Sequence, residues 1–169
     1  AFKGFCRFMV RDGRATDSPV AYLAGLNVKT DRRHDRRALS VEEIRWLLTV
    51  TGGAGAAERH GMTGPERAML YRLALETGLR AAELASLTRA SFHLAGDAPT
   101  VTVDAAYSKH RREDTLPLRA DTAADLRDFL ARKLPDAPAF NVSPKPGATA
   151  DMLRADLAAA RVAWLKEAE

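Results

Sequence analysis

The chain has 169 residues, which suffices for one ordinary domain or one small domain with an appendage. Its hydrophobic fraction of 46% and charged fraction of 28% are typical of a globular protein, and the net charge of +4 permits an acidic partner without requiring one. A single cysteine, Cys6, excludes an internal disulfide, and no apolar run is long enough to span a membrane, so we expect a cytoplasmic protein.

Two helices are predicted near the start of the chain, followed by a linker. Residues 2–11 place Phe2, Phe5, Cys6, Met9 and Val10 on one helical face, and Asp12-Gly13 ends this helix. The segment Asp17-Ser18-Pro19 predicts the start of a short second helix that runs to about Leu23.

Residues 25–38 have no apolar periodicity and are dense in charge, which indicates a basic linker. A solvated hinge and a nucleic-acid contact are both open readings, and they are compatible because a linker that wraps a polyanion is often disordered alone. The basic side chains that would make such a contact are Lys29, Arg32, Arg33, Arg36 and Arg37.

Three helices are predicted in the middle of the chain. Ser40 and Glu43 have the spacing of a capping box, and the helix they open should end at Gly52-Gly53. The next helix opens near Pro65 and ends at Gly78, a residue suited to the left-handed conformation after a helix. A third helix follows from about 81 to 87. The inward apolar residues of the first two should be Ile44, Leu47, Leu48, Met69, Leu70, Leu73 and Ala74.

After residue 90 the apolar period changes from 3.6 to 2, which predicts strands at 91–94, 100–104 and 115–118. A basic turn separates the last two strands, with the sequence Tyr107-Ser108-Lys109-His110-Arg111-Arg112. The sequence therefore predicts a mainly α protein with a small three-stranded antiparallel sheet, of the α+β class.

Two more helices are predicted after the sheet. The first should be capped by Asp121, with Leu126, Phe129, Leu130 and Leu134 facing inward. Residues 135–148 form a proline-rich loop, and Thr149 or Asp151 should cap the last helix. Its inward residues should be Met152, Leu153, Leu157, Ala160 and Trp164.

One arginine and one lysine are displayed in a pattern suited to phosphodiester chemistry. Arg80 follows the helix end Thr77-Gly78-Leu79 and precedes Glu83, Leu84 and Leu87, while Lys109 lies in the basic turn before Leu116-Pro117-Leu118. This arrangement resembles the tyrosine recombinase (phage integrase) family. The resemblance implies that residues 1–24 are the last helices of a core-binding domain, 25–38 an interdomain linker, and 39–169 the N-terminal part of a catalytic domain.

The same resemblance implies a role for each residue. Arg80 would be the first catalytic arginine, whose guanidinium grips two phosphate oxygens and stabilises the transition state. Lys109 would be the general acid that protonates the leaving 5′ oxygen. Glu83 would support the site by orienting Arg80 or by capping its own helix. The DNA backbone would be contacted by His110, Arg111, Arg112 and the basic side chains of the linker.

The family also implies the setting. Double-stranded DNA would be the partner, no metal or other cofactor would be needed, and a tetramer on DNA would form only with the complete protein. The location would be the nucleoid of a bacterial cell, with a bacterial or phage origin. The sequence itself holds no HExxH, CxxC or phosphate-binding glycine loop.

Each of these residues also has an ordinary structural explanation. Arg80 would satisfy backbone carbonyls at the end of a helix, Glu83 would be a common first-turn acid, and Lys109 would be a solvated turn lysine. Lys133 and Lys145 are weaker alternatives to Lys109. The whole chain can also be read as a non-enzymatic helical DNA-binding or regulatory module, with a helix–turn–helix at 66–87, or as a purely structural helical domain.

The sequence departs from the family in one respect. No histidine located after the basic turn has an arginine three residues later, and the three tyrosines, Tyr22, Tyr71 and Tyr107, all precede the place of that motif. The family's second arginine and its nucleophilic tyrosine therefore have no counterpart among the 169 residues. We expect that this polypeptide alone does not cleave and rejoin DNA.

Overall fold

Six helices and three strands form in the part of the chain that the computed structural model describes, residues 2–23, 37–109 and 111–168. The chain consists of two compact units, Ala1–Ala38 and Leu39–Glu169. The elements are α1 (Phe2–Arg11), α2 (Val41–Gly52), α3 (Gly64–Thr77), α4 (Ala81–Ser86), β1 (Phe92–His93), β2 (Thr100–Val103), β3 (Asp114–Pro117), α5 (Ala120–Leu130) and α6 (Ala148–Glu167), with a short 3₁₀ helix at Arg89–Ser91. Most of the predicted linker, residues 25–36, lies outside the described residues.

The first unit contains α1 and a set of turns. The prediction of a second helix after Pro19 is wrong: the backbone there makes only turns, with Ala21 N donating to Ser18 O at 3.0 Å and Leu23 N to Val20 O at 3.2 Å. A segment this short fixes too many dihedral angles for each helical hydrogen bond it would gain. The Lys3 ammonium holds the turns against α1 by donating to Ala21 O at 3.3 Å.

The second unit confirms the predicted class, mainly α with a three-stranded antiparallel sheet in the order β1-β2-β3. Helix α2 packs against both α3 and α6, with Leu47 fully buried. Val101 and Val103 alternate along β2 and face the same core, as expected for a half-buried strand. The strands β2 and β3 pair from Thr100 with Pro117 to Val103 with Asp114, so the basic turn closes a hairpin.

Helix α5 is capped by a different residue from the one predicted. Its N-cap position is Arg119, and Asp121 lies inside the first turn, where its Oδ1 accepts from Thr122 N at 2.9 Å. The cap is supplied across the fold by Glu76 of α3, whose carboxylate accepts from Arg119 N and, at 2.6 Å, from Thr122 Oγ1. The helix ends at Leu130, which leaves Leu134 75% exposed rather than inward.

Helix α6 starts two to four residues earlier than predicted. Its N-cap is Gly147, whose φ of 84° only glycine adopts readily, and Thr149 and Asp151 both lie inside the helix. Met152 and Ala160 face the core as predicted, but Trp164 is 42% exposed and its indole donates to Glu42 Oε1 at 3.1 Å. The end of α6 is therefore fixed to α2 at the surface rather than inserted into the core.

Candidate functional site

The turn between α3 and α4 has a defined geometry that begins at Thr77. The Thr77 hydroxyl donates to Leu73 O at 2.6 Å and accepts from Leu79 N at 3.3 Å. Gly78 follows in the left-handed conformation, with φ of 69°, and its N–H donates to Ala74 O at 2.9 Å. A side chain at this φ would be strained, so glycine suits the position. These bonds and the conformation of Gly78 together fix the path of the backbone between α3 and Arg80.

Arg80 is directed outward because its neighbours are anchored inward. Leu79 packs against the hydrophobic core, and Leu84 and Leu87 on the far side of Arg80 are buried in it. The Arg80 side chain is 55% exposed. In the described part of the chain no carbonyl at the end of α3 accepts from its guanidinium, which instead contacts Glu83.

Glu83 is a buried carboxylate, 6% exposed, that accepts three hydrogen bonds. Its Oε2 accepts from Arg80 N at 2.8 Å, and its Oε1 accepts from Arg80 Nη1 at 3.1 Å. The third donor is the backbone N–H of Lys109, 3.4 Å from Oε1. The same side chain thus caps α4, orients the Arg80 guanidinium and contacts the basic turn.

Lys109 is brought beside Arg80 by this shared carboxylate. The guanidinium of Arg80 and the backbone of Lys109 meet at one oxygen of Glu83, although the two residues come from different elements. Lys109 is exposed, and among the described residues its ammonium makes no hydrogen bond or ion pair. Two cationic residues with exposed side chains therefore contact one buried anion, Arg80 through its guanidinium and Lys109 through its backbone.

The turn that carries Lys109 has its own internal bonds. Ser108 is buried, and its hydroxyl donates to Asp114 Oδ2 at 3.0 Å at the start of β3. The other carboxylate oxygen of Asp114 accepts from Arg112 Nε at 3.1 Å. Arg111 is exposed and has a φ of 54°, in the left-handed region that few non-glycine residues occupy.

Hydrogen bonding lowers the pKa of the Glu83 carboxyl below its ordinary value. The largest contribution is the Arg80 backbone N–H, and the Lys109 N–H and the Arg80 guanidinium act in the same direction. Burial opposes them by raising the pKa. Because the net direction is downward, Glu83 is ionised at neutral pH and the site contains a fixed negative charge.

The structure brings together only some of the residues singled out from the sequence. Arg80, Glu83 and Lys109 form one cluster, with Arg111 and Arg112 on the same turn as Lys109. Arg37 is exposed and belongs to the first unit, where its guanidinium donates to Ala38 O at 3.1 Å. The predicted DNA contacts that lie outside the described residues are Lys29, Arg32, Arg33, Arg36 and His110.

The alternative lysines have other surroundings. The Lys133 ammonium lies 4.9 Å from the centre of the Phe129 ring and 3.6 Å from Glu66 Oε1, an arrangement that holds α5 to α3. Lys145 is exposed in the loop before α6. Of the three lysines, Lys109 is the one that contacts Glu83.

The sequence analysis did not indicate a role for Ser108 or Asp114. A hydroxyl next to Lys109 and an acid five residues later are common in any polar turn, so only the burial of Ser108 distinguishes them. Arg67, Tyr71 and Asp156 form a second buried polar cluster that periodicity alone did not indicate.

Two other features, a metal site and a membrane-spanning helix, were sought in the described ranges. Across residues 2–23, 37–109 and 111–168, no three His, Cys, Asp or Glu side chains are grouped so that they could hold a metal ion. No helix in those ranges has the length and apolar character needed to cross a membrane.

Comparison with known proteins adds no family assignment. No protein-family model, curated protein or solved structure matches the chain.

Glu83→Gln should destabilise the second unit and remove part of its acid sensitivity. An amide offers one acceptor oxygen where the carboxylate offers two, so a donor at this buried position loses its partner at a cost of about 1–3 kcal/mol. Because the folded pKa is lowered, the Glu83 contribution is complete above the ordinary glutamate pKa of 4.5 and is lost as pH falls below it. Urea unfolding at several pH values measures both effects.

Glu113→Gln is the matched control, since Glu113 is an exposed glutamate in the loop that joins β2 to β3. We expect it to leave the free energy of unfolding nearly unchanged. An equal change in the free energy of unfolding for the two substitutions would show that the hydrogen bonds of Glu83 do not stabilise the second unit.

Proposed function

We propose that the unit Leu39–Glu169 binds the phosphodiester backbone of double-stranded DNA, and that it forms part of a site-specific tyrosine recombinase. In the complete protein the reaction would be DNA breakage and rejoining through a 3′-phosphotyrosine. The observation that carries the proposal is the meeting of Arg80 and Lys109 at the Glu83 carboxylate.

Arg80 has the properties that phosphate binding requires. A guanidinium presents several N–H groups in a plane and can bind two phosphate oxygens at once. One of its nitrogens is bound to Glu83, which fixes the group while the side chain remains 55% exposed. Preorganised donors of this kind stabilise charge that develops on phosphate oxygens without a further cost of reorganisation.

Lys109 has the properties of a proton donor at the same phosphate. Its ammonium is exposed on a flexible side chain, while its backbone is bound to the carboxylate that orients Arg80. A lysine so placed can deliver a proton to a leaving oxygen, which is the role that the family resemblance implies. Arg111 and Arg112 on the same turn add positive charge along a DNA strand.

The surface of α4 favours backbone contact over base recognition. The helix has six residues, of which Glu83 and Leu84 are buried. Its exposed residues include Ala81, Ala82 and Ala85, whose methyl groups cannot donate or accept hydrogen bonds at base edges. A non-enzymatic helix–turn–helix module at 66–87 is therefore the less favoured function.

Fluorescence anisotropy with a labelled DNA duplex, recorded at several salt concentrations, tests the proposal. Each cation that contacts a phosphate contributes a slope of about 0.9 to the dependence of log affinity on log salt. Lys109→Ala should therefore reduce the slope by about 0.9 and weaken binding about eightfold at roughly 0.1 M salt.

Lys145→Ala is the control, because it removes the same charge from an exposed lysine in another loop. We expect a smaller loss of affinity and little change in slope. Equal effects of the two substitutions would indicate non-specific attraction to a basic protein. Absence of any binding at low salt would contradict the proposed function itself.

A further inference from the structure

We propose that Ser108 and Asp114 are positioning residues for Lys109, because their hydrogen bond holds the basic turn so that Lys109 stays at the Glu83 carboxylate that Arg80 shares. The inference rests on the proposed function, since it concerns how the same phosphate-binding surface is built. Neither residue contacts phosphate in this proposal; both act through Lys109.

Burial is the first observation that distinguishes Ser108. The residues on either side of it, Tyr107 and Lys109, are exposed, whereas Ser108 is 6% exposed. Its hydroxyl donates to Asp114 Oδ2 at 3.0 Å, a normal hydrogen-bond distance. A buried hydroxyl bound to a carboxylate is a fixed point in an otherwise solvated turn.

Backbone hydrogen bonds hold Ser108 from both directions along the chain. Its N–H donates to Asp104 O at 3.1 Å, and its carbonyl accepts from Arg111 N at 3.0 Å. Lys109 follows directly, so the position of its Cα is set by a residue with both backbone and side-chain partners.

Asp114 joins the two sides of the turn. One of its oxygens binds Ser108, which precedes Lys109, and the other binds Arg112 Nε at 3.1 Å, which follows it. Asp114 is itself the first residue of β3, and it pairs with Val103 at the end of β2. The carboxylate therefore ties the turn to the end of the hairpin ladder.

The hydrogen bond from the Lys109 N–H to Glu83 is too weak to fix the turn by itself. The Lys109 N–H lies 3.4 Å from Glu83 Oε1, near the limit for a hydrogen bond. Without the bond between Ser108 and Asp114, the turn would lose a side-chain bond next to Lys109 and would depend more on this long contact. Lys109 would then spend less time at the surface that Arg80 shares.

A double-mutant cycle tests the coupling, with DNA affinity measured by anisotropy. Lys109→Ala should weaken binding about eightfold in the wild-type protein but only about threefold in Ser108→Ala, because the lysine is already displaced in that variant. Ser108→Thr retains the hydroxyl and should restore most of the wild-type response. An undiminished eightfold loss in the Ser108→Ala protein overturns the inference.

Thr102→Ala is the matched control. The Thr102 hydroxyl hydrogen-bonds the Thr115 hydroxyl at 3.0 Å in the ladder of the same hairpin, one residue pair further from the turn than Asp114. This substitution removes one hydroxyl from the hairpin and should leave the effect of Lys109→Ala at about eightfold. A reduction equal to that in Ser108→Ala would show a general loosening of the hairpin and would also overturn the inference.

Amide hydrogen exchange of the free protein gives a readout that does not involve DNA. Exchange at the Lys109 N–H should accelerate several-fold in Ser108→Ala and not in Thr102→Ala. Unchanged exchange at Lys109 overturns the positioning role. Failure of the proposed function has a different signature: Arg80→Ala and Lys109→Ala leave DNA affinity unchanged while Ser108→Ala still accelerates exchange at Lys109.

Discussion

Asp156→Ala should lower the free energy of unfolding by about 3–5 kcal/mol, the usual cost of removing one partner from a buried ion pair. Asp156 lies on α6 and is 3% exposed. Arg67 of α3 is 1% exposed and binds it twice, with Nε 2.8 Å from Oδ2 and Nη2 3.1 Å from Oδ1. Without the carboxylate, the guanidinium charge would remain buried without its ionic partner, while its bond to Met62 O would persist.

Two further donors make this carboxylate the junction of three segments. The Tyr71 hydroxyl donates to Asp156 Oδ2 at 2.8 Å, and Arg59 Nε, from the loop before α3, lies 3.0 Å from Oδ1. Burial, followed by the Asp156 hydrogen bond and charge, raises the pKa of Tyr71 above its ordinary value, so the tyrosine remains a neutral donor. Loss of Asp156 therefore affects α3, α6 and the connecting loop together.

Asp151→Ala is the control on the same helix. Asp151 is exposed, and it pairs with exposed Arg154 at 2.6 Å. Exposed pairs of this kind contribute about 0.2–1 kcal/mol. Chemical denaturation of both variants gives the comparison, and similar losses for Asp151 and Asp156 would refute the structural role of the buried cluster.

The effect of Asp156 should also depend on pH. Burial alone would raise the pKa of its carboxyl, but hydrogen bonds from Arg67 and Tyr71 and the Arg67 charge outweigh burial, and the pKa is lowered. The stabilisation is complete above the ordinary aspartate pKa of 3.8 and is lost as pH falls through the lower folded value. The difference between wild type and Asp156→Ala should therefore shrink in acid.

Arg80→Ala should weaken binding to duplex DNA by more than tenfold at roughly 0.1 M salt, a larger loss than that expected for Lys109→Ala. The variant loses one positive charge, whose contact with a phosphate would displace a counterion from the DNA. It also loses the planar pair of donors that can bind two phosphate oxygens. The fold should be maintained, because the Arg80 side chain is 55% exposed and Glu83 retains the backbone N–H groups of Arg80 and Lys109.

Arg80→Lys separates charge from geometry. A lysine keeps the positive charge, so the salt dependence should return to the wild-type slope, but affinity should stay several-fold lower because an ammonium has no planar fork. Arg154→Ala is the control, since Arg154 forms an equally spaced pair with a carboxylate three residues away. If both arginine-to-alanine variants lose affinity equally, Arg80 is not a specific phosphate contact.

Elements whose ends are set by local chemistry could be predicted from the sequence. Ser40 and Glu43 form the predicted capping box, and Gly78 adopts the predicted left-handed conformation. Both features depend on neighbours a few residues away, so the sequence contains all of the necessary information.

Elements whose ends are set by distant residues could not be predicted in this way. Helix α5 is capped by Glu76, which belongs to α3, and no local pattern near Asp121 reveals that contact. Asp156 lies four residues from both Met152 and Ala160, on the stripe of α6 that faces the core, so its burial follows the helical period. Its partners Arg67 and Tyr71 belong to another helix, and no pattern within α6 indicates them.

The candidate site also has features set by local sequence and features set by distant residues. Arg80 and Lys109 stood out because each has an unusual local setting, one after a glycine turn and the other in a basic hairpin turn. Their meeting at Glu83 requires the hairpin to fold against α4, and the bond between Ser108 and Asp114 requires the hairpin itself to close. Sequence spacing indicates candidate residues, whereas only the tertiary structure shows which of them share a surface.

The carboxylate of Glu83 also sets the charge balance of the site. With Glu83 ionised, the cluster carries two positive charges and one negative charge, a net of about +1. A phosphodiester carries one negative charge and neutralises this excess, whereas a phosphomonoester carries about −1.5 to −2 at neutral pH and overshoots it. In the proposed function, the three groups would therefore match the single charge of an internal phosphate in a continuous strand.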